Sequence, residues 1–112
     1  MSDCIFCKIA SGDIPAKKVF EDDRVVVFKD LNPVAPTHFL AIPKRHIPSL
    51  AELAEGDEAV LGHLQVVLQK VAAENELKDF RVVSNVGRGA GQSVFHLHYH
   101  LLSGRRMMWP PG

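Results

Sequence analysis

The feature that most constrains this chain is a run in which histidines alternate with apolar residues. Its three histidines are His96, His98 and His100. Successive side chains of a β-strand point to opposite faces, so a strand would set these imidazoles in one row, about 6.6 Å apart. The pattern predicts a strand over 94–102 with a histidine face, whose opposite face fills the core with Phe95, Leu97, Tyr99 and Leu101.

Three imidazoles in one row indicate chemistry more strongly than a single histidine would. If more than one ring were charged, each would disfavour protonation of its neighbours, so the cluster would titrate as a coupled group. At least one ring then stays neutral near pH 7, as a nucleophile or base requires. His-x-His on a strand also suits zinc, and three histidines with a water form an open catalytic site. The spacing alone does not separate these two interpretations.

The segment just before the histidines favours phosphoryl chemistry. Residues 85–93 hold glycines at the alternate positions 87, 89 and 91, followed by Gln92 and Ser93. Glycine lets backbone N–H groups approach phosphate oxygens closely, and the amide and hydroxyl side chains are further donors. A flexible connection between strands is the commoner reason for three glycines. Because the loop adjoins three histidines, we interpret it as an anion site beside a nucleophile.

The rest of the chain predicts one α+β fold. Ser2 or Asp3 could cap a short helix that runs through Ala10 and ends at Gly12. Runs rich in β-formers predict strands over 17–21, 24–29, 37–42 and 80–84, and a helical apolar period predicts one long helix over 57–75. The order β-β-β-α-β-β indicates a five-stranded, largely antiparallel sheet with one long helix and a short N-terminal helix.

Two further histidines belong to these elements. His38 begins the third strand and shares a face with Leu40 and Ile42, which makes it a fourth candidate for the site. His63 lies on the long helix near the apolar stripe, and we assign it to structure or surface.

Composition limits the partners and the location. A chain of 112 residues predicts one domain, 1–112, and its 13 basic and 13 acidic side chains cancel, which argues against binding to bulk nucleic acid or anionic membranes. No apolar stretch approaches the roughly 20 residues of a membrane span, and the first residues lack a signal-peptide pattern. Cys4 and Cys7 are so close in sequence that a disulfide between them would not join distant parts of the fold. We therefore expect a cytoplasmic protein.

The run from Gly91 to Leu102 resembles the signature of the histidine triad (HIT) family. The resemblance extends over nearly the whole chain, through segments 4–9, 14–16, 20–23, 36–40 and 42–44. The ending Met108-Trp109-Pro110-Pro111-Gly112 is similar to that of the nucleoside phosphoramidase (Hint) branch. The family's fold agrees with the one predicted above and implies a homodimer.

The resemblance implies a role for each matching residue. His98 would be the nucleophile that carries a nucleotidyl group, His100 would stabilise charge on phosphoryl oxygens, and Ser93 would assist the leaving group. His96 and His38 would orient the cluster. Asp30 would bind ribose hydroxyls. The phosphate-side positions would be Asn85, Gly91 and Gln92, and the base pocket would be Ile5, Phe6, Ile9, Ile14, Phe28 and Leu31.

The Cys4-x-x-Cys7 pair is half of a tetrahedral zinc site. Similarity to zinc-containing family members suggests His46 and His96 as the other two ligands. A redox pair is the alternative, although no thioredoxin-like βαβ context surrounds it. Zinc, if bound, would brace the histidines structurally, and the chemistry would require no cofactor.

Together these features predict a hydrolase of purine nucleoside 5′-phosphoramidates or acyl-adenylates. Cleavage of dinucleoside polyphosphates is the alternative within the family. A nucleotide-binding adaptor with incidental turnover and a conventional zinc hydrolase are alternatives of other classes.

Overall fold

A computed structural model describes residues 3–112 of the chain and contains one antiparallel sheet and two α-helices. The helices are α1 (Ile5–Ser11) and α2 (Glu58–Glu74), and the strands are β1 (Lys18–Glu21), β2 (Val25–Lys29), β3 (Thr37–Pro43), β4 (Phe80–Val83) and β5 (Tyr99–Ser103). The strands lie in the order β1-β2-β3-β5-β4, and every neighbouring pair is antiparallel. The predicted α+β architecture is confirmed.

The short helix α1 begins at a cysteine. Cys4 is its N-cap, and the Cys4 sulfur accepts a hydrogen bond from the backbone N–H of Cys7. Gly12 ends the helix in a left-handed conformation, as the sequence predicts. Of the two predicted caps, Ser2 lies outside the described residues and Asp3 precedes the cap. The cysteine takes the capping role because its sulfur faces the first turn.

The long helix α2 covers one face of the sheet. Its buried stripe packs on apolar side chains of β2, β3 and β5 in one cluster that includes Leu64, Val67, Leu68 and Val71. These positions follow the predicted helical period, and their burial supplies the main hydrophobic stabilisation of the fold. No helix in the described part of the chain is long and apolar enough to cross a membrane.

The other face of the sheet carries α1 and remains partly open. Phe6 and Ile9 of α1 pack against Val26 and Phe28 of β2 and against Leu40 and Ile42 of β3. Because α1 has only seven residues, it covers part of this face and leaves a cavity beside it.

The last strand is shorter than predicted. It begins at Tyr99, so His96 and His98 lie in the segment before it and only His100 belongs to the ladder. The reason is a competing bond, since the N–H of Leu97 donates to the carbonyl of Ile47, 2.6 Å away and outside the sheet. Leu97 and Leu101 are buried as predicted, but Phe95 is 41% exposed, so its assignment to the core is wrong.

Gly104, just after β5, offers a test of how tightly the strand ends are packed. Its φ is +101°, and an added Cβ would lie 2.7 Å from the Cβ of Pro36. Gly56 also has a positive φ, +92°, but its Cβ would meet nothing within 4 Å. We expect Gly56→Ala to cost about 1–2 kcal/mol from backbone strain. Gly104→Ala should cost about 1–3 kcal/mol more, because overpacking adds to the strain. Urea unfolding of both variants measures the difference, and equal costs would contradict the predicted clash.

Candidate active site

The sheet register brings three polar side chains together on the open face. Asp30 follows β2, and its N–H donates to the carbonyl of His38 in β3. His100 of β5 lies opposite Leu40, two residues from His38 and on the same face. Asp30, His38 and His100 therefore form one row across three neighbouring strands.

A cavity of about 580 Å³ lies between α1, the segment after it and this row. The predicted residues that line it are Ile5, Phe6, Ile9, Ile14, Phe28, Asp30, Leu31, Ser93, His98 and His100. A larger cavity of about 830 Å³ is lined by residues 76–81 and 103–107 and touches none of the histidines. Of these two cavities, the smaller one is the candidate site, because it combines an apolar wall with His98 and His100.

Five predicted residues do not line this cavity: His38, Asn85, Gly91, Gln92 and His96. Gln92 is buried, and its amide donates to the carbonyls of Pro48 and Val94 and accepts from the N–H of Gly87. The side chain thus fixes the glycine-rich loop from within. Asn85 lies against Gly91, 3.5 Å from where a Cβ on that glycine would be.

His98 has one hydrogen bond that fixes its tautomer. Its Nδ1 lies 2.8 Å from the carbonyl oxygen of His96. A carbonyl only accepts, so Nδ1 carries the proton and the neutral ring keeps its lone pair on Nε2. The ring is buried, and the ring of Phe6 packs edge-on against it with centroids 5.1 Å apart. In its neutral form, His98 therefore presents the lone pair of a fixed Nε2 at the cavity.

His38 and His100 are joined ring to ring. The Nδ1 of His38 accepts from the N–H of Val34, so Nε2 carries its proton and donates to Nδ1 of His100, 2.9 Å away. Because Nδ1 of His100 accepts this bond, the neutral ring carries its proton on Nε2. The ring lines the cavity, so this Nε2–H is available as a hydrogen-bond donor. Burial, His98 and His38 lower the pKa of His100 to about 4, against an opposing effect of Asp30. Burial also lowers the pKa of His38, again opposed by Asp30.

His96 faces away from the cavity, toward the cysteines. Its Nε2 donates to the carbonyl of Pro43 at 2.8 Å, so its Nδ1 is free of a proton in the neutral ring. That Nδ1 lies 3.3 Å from the sulfur of Cys4, 3.5 Å from that of Cys7 and 3.2 Å from Nδ1 of His46. Burial of His96, which is fully buried, lowers its pKa.

The side chains of Cys4, Cys7, His46 and His96 fit a tetrahedral metal site. Their ligand atoms all lie within 4.8 Å of one another. Zinc at about 2.3 Å from sulfur and about 2.0–2.1 Å from nitrogen would separate sulfur from nitrogen by about 3.5 Å and the two nitrogens by about 3.3 Å. In the structure, sulfur and nitrogen lie 3.3–3.5 Å apart in the pairs Cys4–His96, Cys7–His46 and Cys7–His96, and the two nitrogens lie 3.2 Å apart. Burial and the neighbouring Cys4 thiol raise the pKa of Cys7 to about 11, so a metal would displace a proton there.

Several supporting residues were not predicted from the sequence. The hydroxyl of Ser84 donates to the carbonyl of His98 at 2.9 Å and so holds that segment. The carbonyls of Pro43 and Ile47 orient His96 and Leu97. The cavity is also lined by Pro15, Ala16, Lys17, Lys29, Asn32, Pro33, Leu40 and Val94. Among these residues, the Asn32-Pro33 turn next to Asp30 is the one sequence feature that could have indicated a position beside the cavity.

His63 lies outside the site, as predicted. Its Nε2 is 2.6 Å from a carboxylate oxygen of Asp22, and this pair links α2 to the turn between β1 and β2.

Comparison with known proteins gives a consistent result. A family model described as "Scavenger mRNA decapping enzyme C-term binding" matches residues 3–109. A HIT-like protein of Synechocystis is 50% identical over 98% of this chain and 97% of its own length. The crystal structure of a HIT family hydrolase from Legionella pneumophila has a TM-score of 0.95 and 46% identity, covering 98% of this chain and all of that one. A histidine triad protein from Clostridium difficile has a TM-score of 0.93 and 49% identity, with 96% of each chain covered.

The pKa of His100 predicts a contribution to acid sensitivity. The folded pKa, about 4, lies below the ordinary value of 6.5, so the unfolded chain takes up a proton first as the pH falls. The stability that the neutral ring provides is complete above about 6.5 and is lost as the pH falls toward 4. The free energy of unfolding, measured with urea, should fall between about pH 7 and pH 5 in both the wild type and His100→Asn. The fall should be on the order of 1 kcal/mol larger in the wild type than in His100→Asn, after allowance for solvent screening. An identical loss in both proteins would contradict this assignment.

Proposed function

Because this chain belongs to the histidine triad family, we propose that it hydrolyses purine nucleoside 5′-phosphoramidates or acyl-adenylates at the α-phosphate, through a nucleotidyl intermediate on His98. The observation that carries the proposal is the hydrogen bond from Nδ1 of His98 to the carbonyl of His96. It holds the neutral ring in the one tautomer whose Nε2 lone pair can attack phosphorus.

The proposed reaction has two displacements at phosphorus. Nε2 of His98 attacks the α-phosphorus, the bond from phosphorus to the leaving nitrogen or acyl oxygen breaks, and the leaving group departs with its electron pair. A water then attacks the same phosphorus, the phosphorus–nitrogen bond breaks, and the nucleoside monophosphate leaves with His98 restored. Dividing the displacement into two steps lowers each barrier. The Nε2–H of His100 would stabilise the phosphoryl oxygens in both steps.

Ser93 is suited to assist the leaving group. It lines the cavity together with His98 and His100, and its side chain makes no hydrogen bond to any other described residue. Its hydroxyl is therefore available to donate to a departing amine or carboxylate. Water would restore the proton in the second displacement.

The other end of the cavity is suited to a nucleoside. Phe6 and Phe28 pack edge to face with centroids 5.5 Å apart and form part of an apolar wall with Ile5, Ile9, Ile14 and Leu31. A flat purine would gain from burial against this wall. Asp30 also lines the cavity, and we propose that its carboxylate accepts hydrogen bonds from the ribose hydroxyls. We further infer that the protein resides in the cytoplasm, because Cys4 and Cys7 are free thiols, as is usual in a reducing compartment.

We propose that Cys4, Cys7, His46 and His96 hold a structural zinc ion. Support comes from the separations of their ligand atoms, which match a tetrahedral ion. The zinc would fix the ring of His96 and so steady the carbonyl that orients His98. It would supply no Lewis acid to the phosphate.

We also propose that two copies form a homodimer. The edge strand β4 exposes Phe80 and Val82, at 43% and 37%, and Trp109 is 80% exposed. A second copy that covered this edge would bury apolar surface and satisfy unpaired backbone groups.

The first test replaces the proposed nucleophile. His98→Ala should lower turnover of a fluorogenic adenosine phosphoramidate by several orders of magnitude and change nucleotide affinity little, because only the attacking nitrogen is removed. In the wild type, an alkaline quench should trap an adduct of nucleotidyl mass on the peptide that contains His98.

His63→Ala is the matched histidine control and should retain wild-type turnover, because His63 pairs with Asp22 outside the site. Replacing His38 or His100 should slow the reaction less than His98→Ala does. Near-normal turnover of His98→Ala, or an adduct on another histidine, would refute the mechanism.

The second test concerns zinc. Elemental analysis of the purified protein should find about one zinc per chain, and Cys7→Ala should bind much less. Chelation should lower the melting temperature, because the metal-binding free energy contributes to stability. Saturating turnover should change by only a few-fold. A complete loss of turnover in a chelated protein that is still folded by circular dichroism would assign the zinc a direct chemical role.

A further inference from the structure

Asp30 occupies a position that a ribose-binding role alone does not require. One carboxylate oxygen, Oδ2, lies 3.3 Å from Nε2 of His38, a ring that is only 4% exposed at its side chain. The other oxygen, Oδ1, accepts from the N–H of Asn32 at 2.8 Å, which fixes the rotamer of the carboxylate. The sheet register holds the backbone, because the N–H of Asp30 bonds to the carbonyl of His38. The charge is therefore built into the site before any ligand binds.

The atom that Asp30 faces belongs to the pair that presents a donor to the cavity. Nε2 of His38 carries its proton because Nδ1 accepts from the N–H of Val34. That proton is directed to Nδ1 of His100, 2.9 Å away. A carboxylate beside this pair favours any positive charge that the rings accumulate, and in a buried site the effect is larger than in water. The attraction of Asp30 opposes the lowering of the pKa that burial imposes on both rings.

We propose that Asp30 is a positioning residue for the reaction: its carboxylate orients the His38–His100 pair and helps that pair take up a proton when an anionic phosphoryl group lies beside it, so that His100 donates to the phosphoryl oxygens as a charged, stronger donor. This inference rests on the proposed function and adds to the ribose contact assigned to Asp30 there. In this inference the carboxylate of Asp30 contributes to the rate of nucleotidyl transfer as well as to the affinity for the nucleoside.

A metal ion held by Asp30, His38 and His100 is the competing interpretation, since their ligand atoms also lie within 4.8 Å of one another. The hydrogen bond from Val34 argues against it. Both nitrogens of His38 would need a lone pair at once, one for the Val34 N–H and one for the metal, and that requires an imidazolate. The three residues are better described as a charge and two hydrogen-bonded rings.

The first experiment needs no turnover. Asp30→Asn keeps the shape of the side chain and an oxygen for the N–H of Asn32, but it removes the charge. Nuclear magnetic resonance titration of the histidine rings should show the pKa values of His38 and His100 falling further in Asp30→Asn, with that of His63 unchanged. Unmoved pKa values at His38 and His100 would overturn the proposal, whatever reaction the protein catalyses.

The second experiment separates rate from ribose recognition. Single-turnover adduct formation is measured with an adenosine phosphoramidate and with its 2′,3′-dideoxy counterpart. Asp30→Asn should lower the rate at saturation about tenfold with both substrates. If Asp30 only binds ribose, the loss will vanish with the dideoxy substrate, and the proposal is overturned.

A third variant tests the route through His38. In a His38→Asn background, Asp30→Asn should have little further effect on the rate with the dideoxy substrate. An undiminished tenfold loss there would show that Asp30 acts independently of His38 and would overturn the proposal. A wild type that forms no adduct with either substrate would instead refute the proposed function, and the ring titration would still decide the role of Asp30.

Discussion

The site depends on the way in which one buried residue, His96, is held. Its Nε2–H is bonded to the carbonyl of Pro43 at the end of β3, which directs Nδ1 to the cysteines and His46. Its own carbonyl accepts from Nδ1 of His98. The ring of His96 therefore belongs to the cluster of Cys4, Cys7 and His46 proposed to hold zinc, and its backbone belongs to the candidate active site. A displacement of this one residue would disturb both.

The sheet contributes the second constraint, through its register. Antiparallel pairing of β2 with β3 and of β3 with β5 sets Asp30, His38 and His100 side by side on the face that α1 leaves open. A shift of one residue in either pairing would move one of them to the face that α2 covers. The buried apolar residues under α2 thus fix the polar row on the opposite face, because the same strands supply both.

The sequence was informative where side-chain identity carries the signal. Alternating histidines, the glycine-rich loop and the apolar periods predicted the sheet, the long helix and, around the cavity, Ser93, His98 and His100. The resemblance to a known family added Asp30 and the base pocket. The partners that fix the tautomers could not be found in this way. The carbonyls of Pro43 and His96 are backbone groups that every residue at those positions would supply, and the N–H of Val34 would come from any residue except proline.

The same limit explains two of the expectations that changed. The sequence treats His96, His98 and His100 as equivalent members of one strand, but the bond from Leu97 to Ile47 takes the first two out of the ladder. Gln92 is predicted to donate to phosphate, yet its amide already donates to the carbonyls of Pro48 and Val94 and accepts from the N–H of Gly87. In both cases a long-range hydrogen bond outweighs a local pattern, since a buried polar group without a partner is costly.

Three identical side chains acquire three different chemical properties from their partners. A carbonyl that accepts from Nε2 of His96 leaves its neutral ring a lone pair on Nδ1, and a carbonyl that accepts from Nδ1 of His98 leaves its neutral ring a lone pair on Nε2. The Nε2–H of His38 donates to Nδ1 of His100, so the neutral ring of His100 carries its own proton on Nε2 and can donate from there. The tautomers of the neutral rings therefore alternate along the chain: the proton is on Nε2 in His96, on Nδ1 in His98 and on Nε2 in His100. Because the identity of the residue is constant, the division into brace, proposed nucleophile and proposed donor comes entirely from the hydrogen bonds that the fold provides.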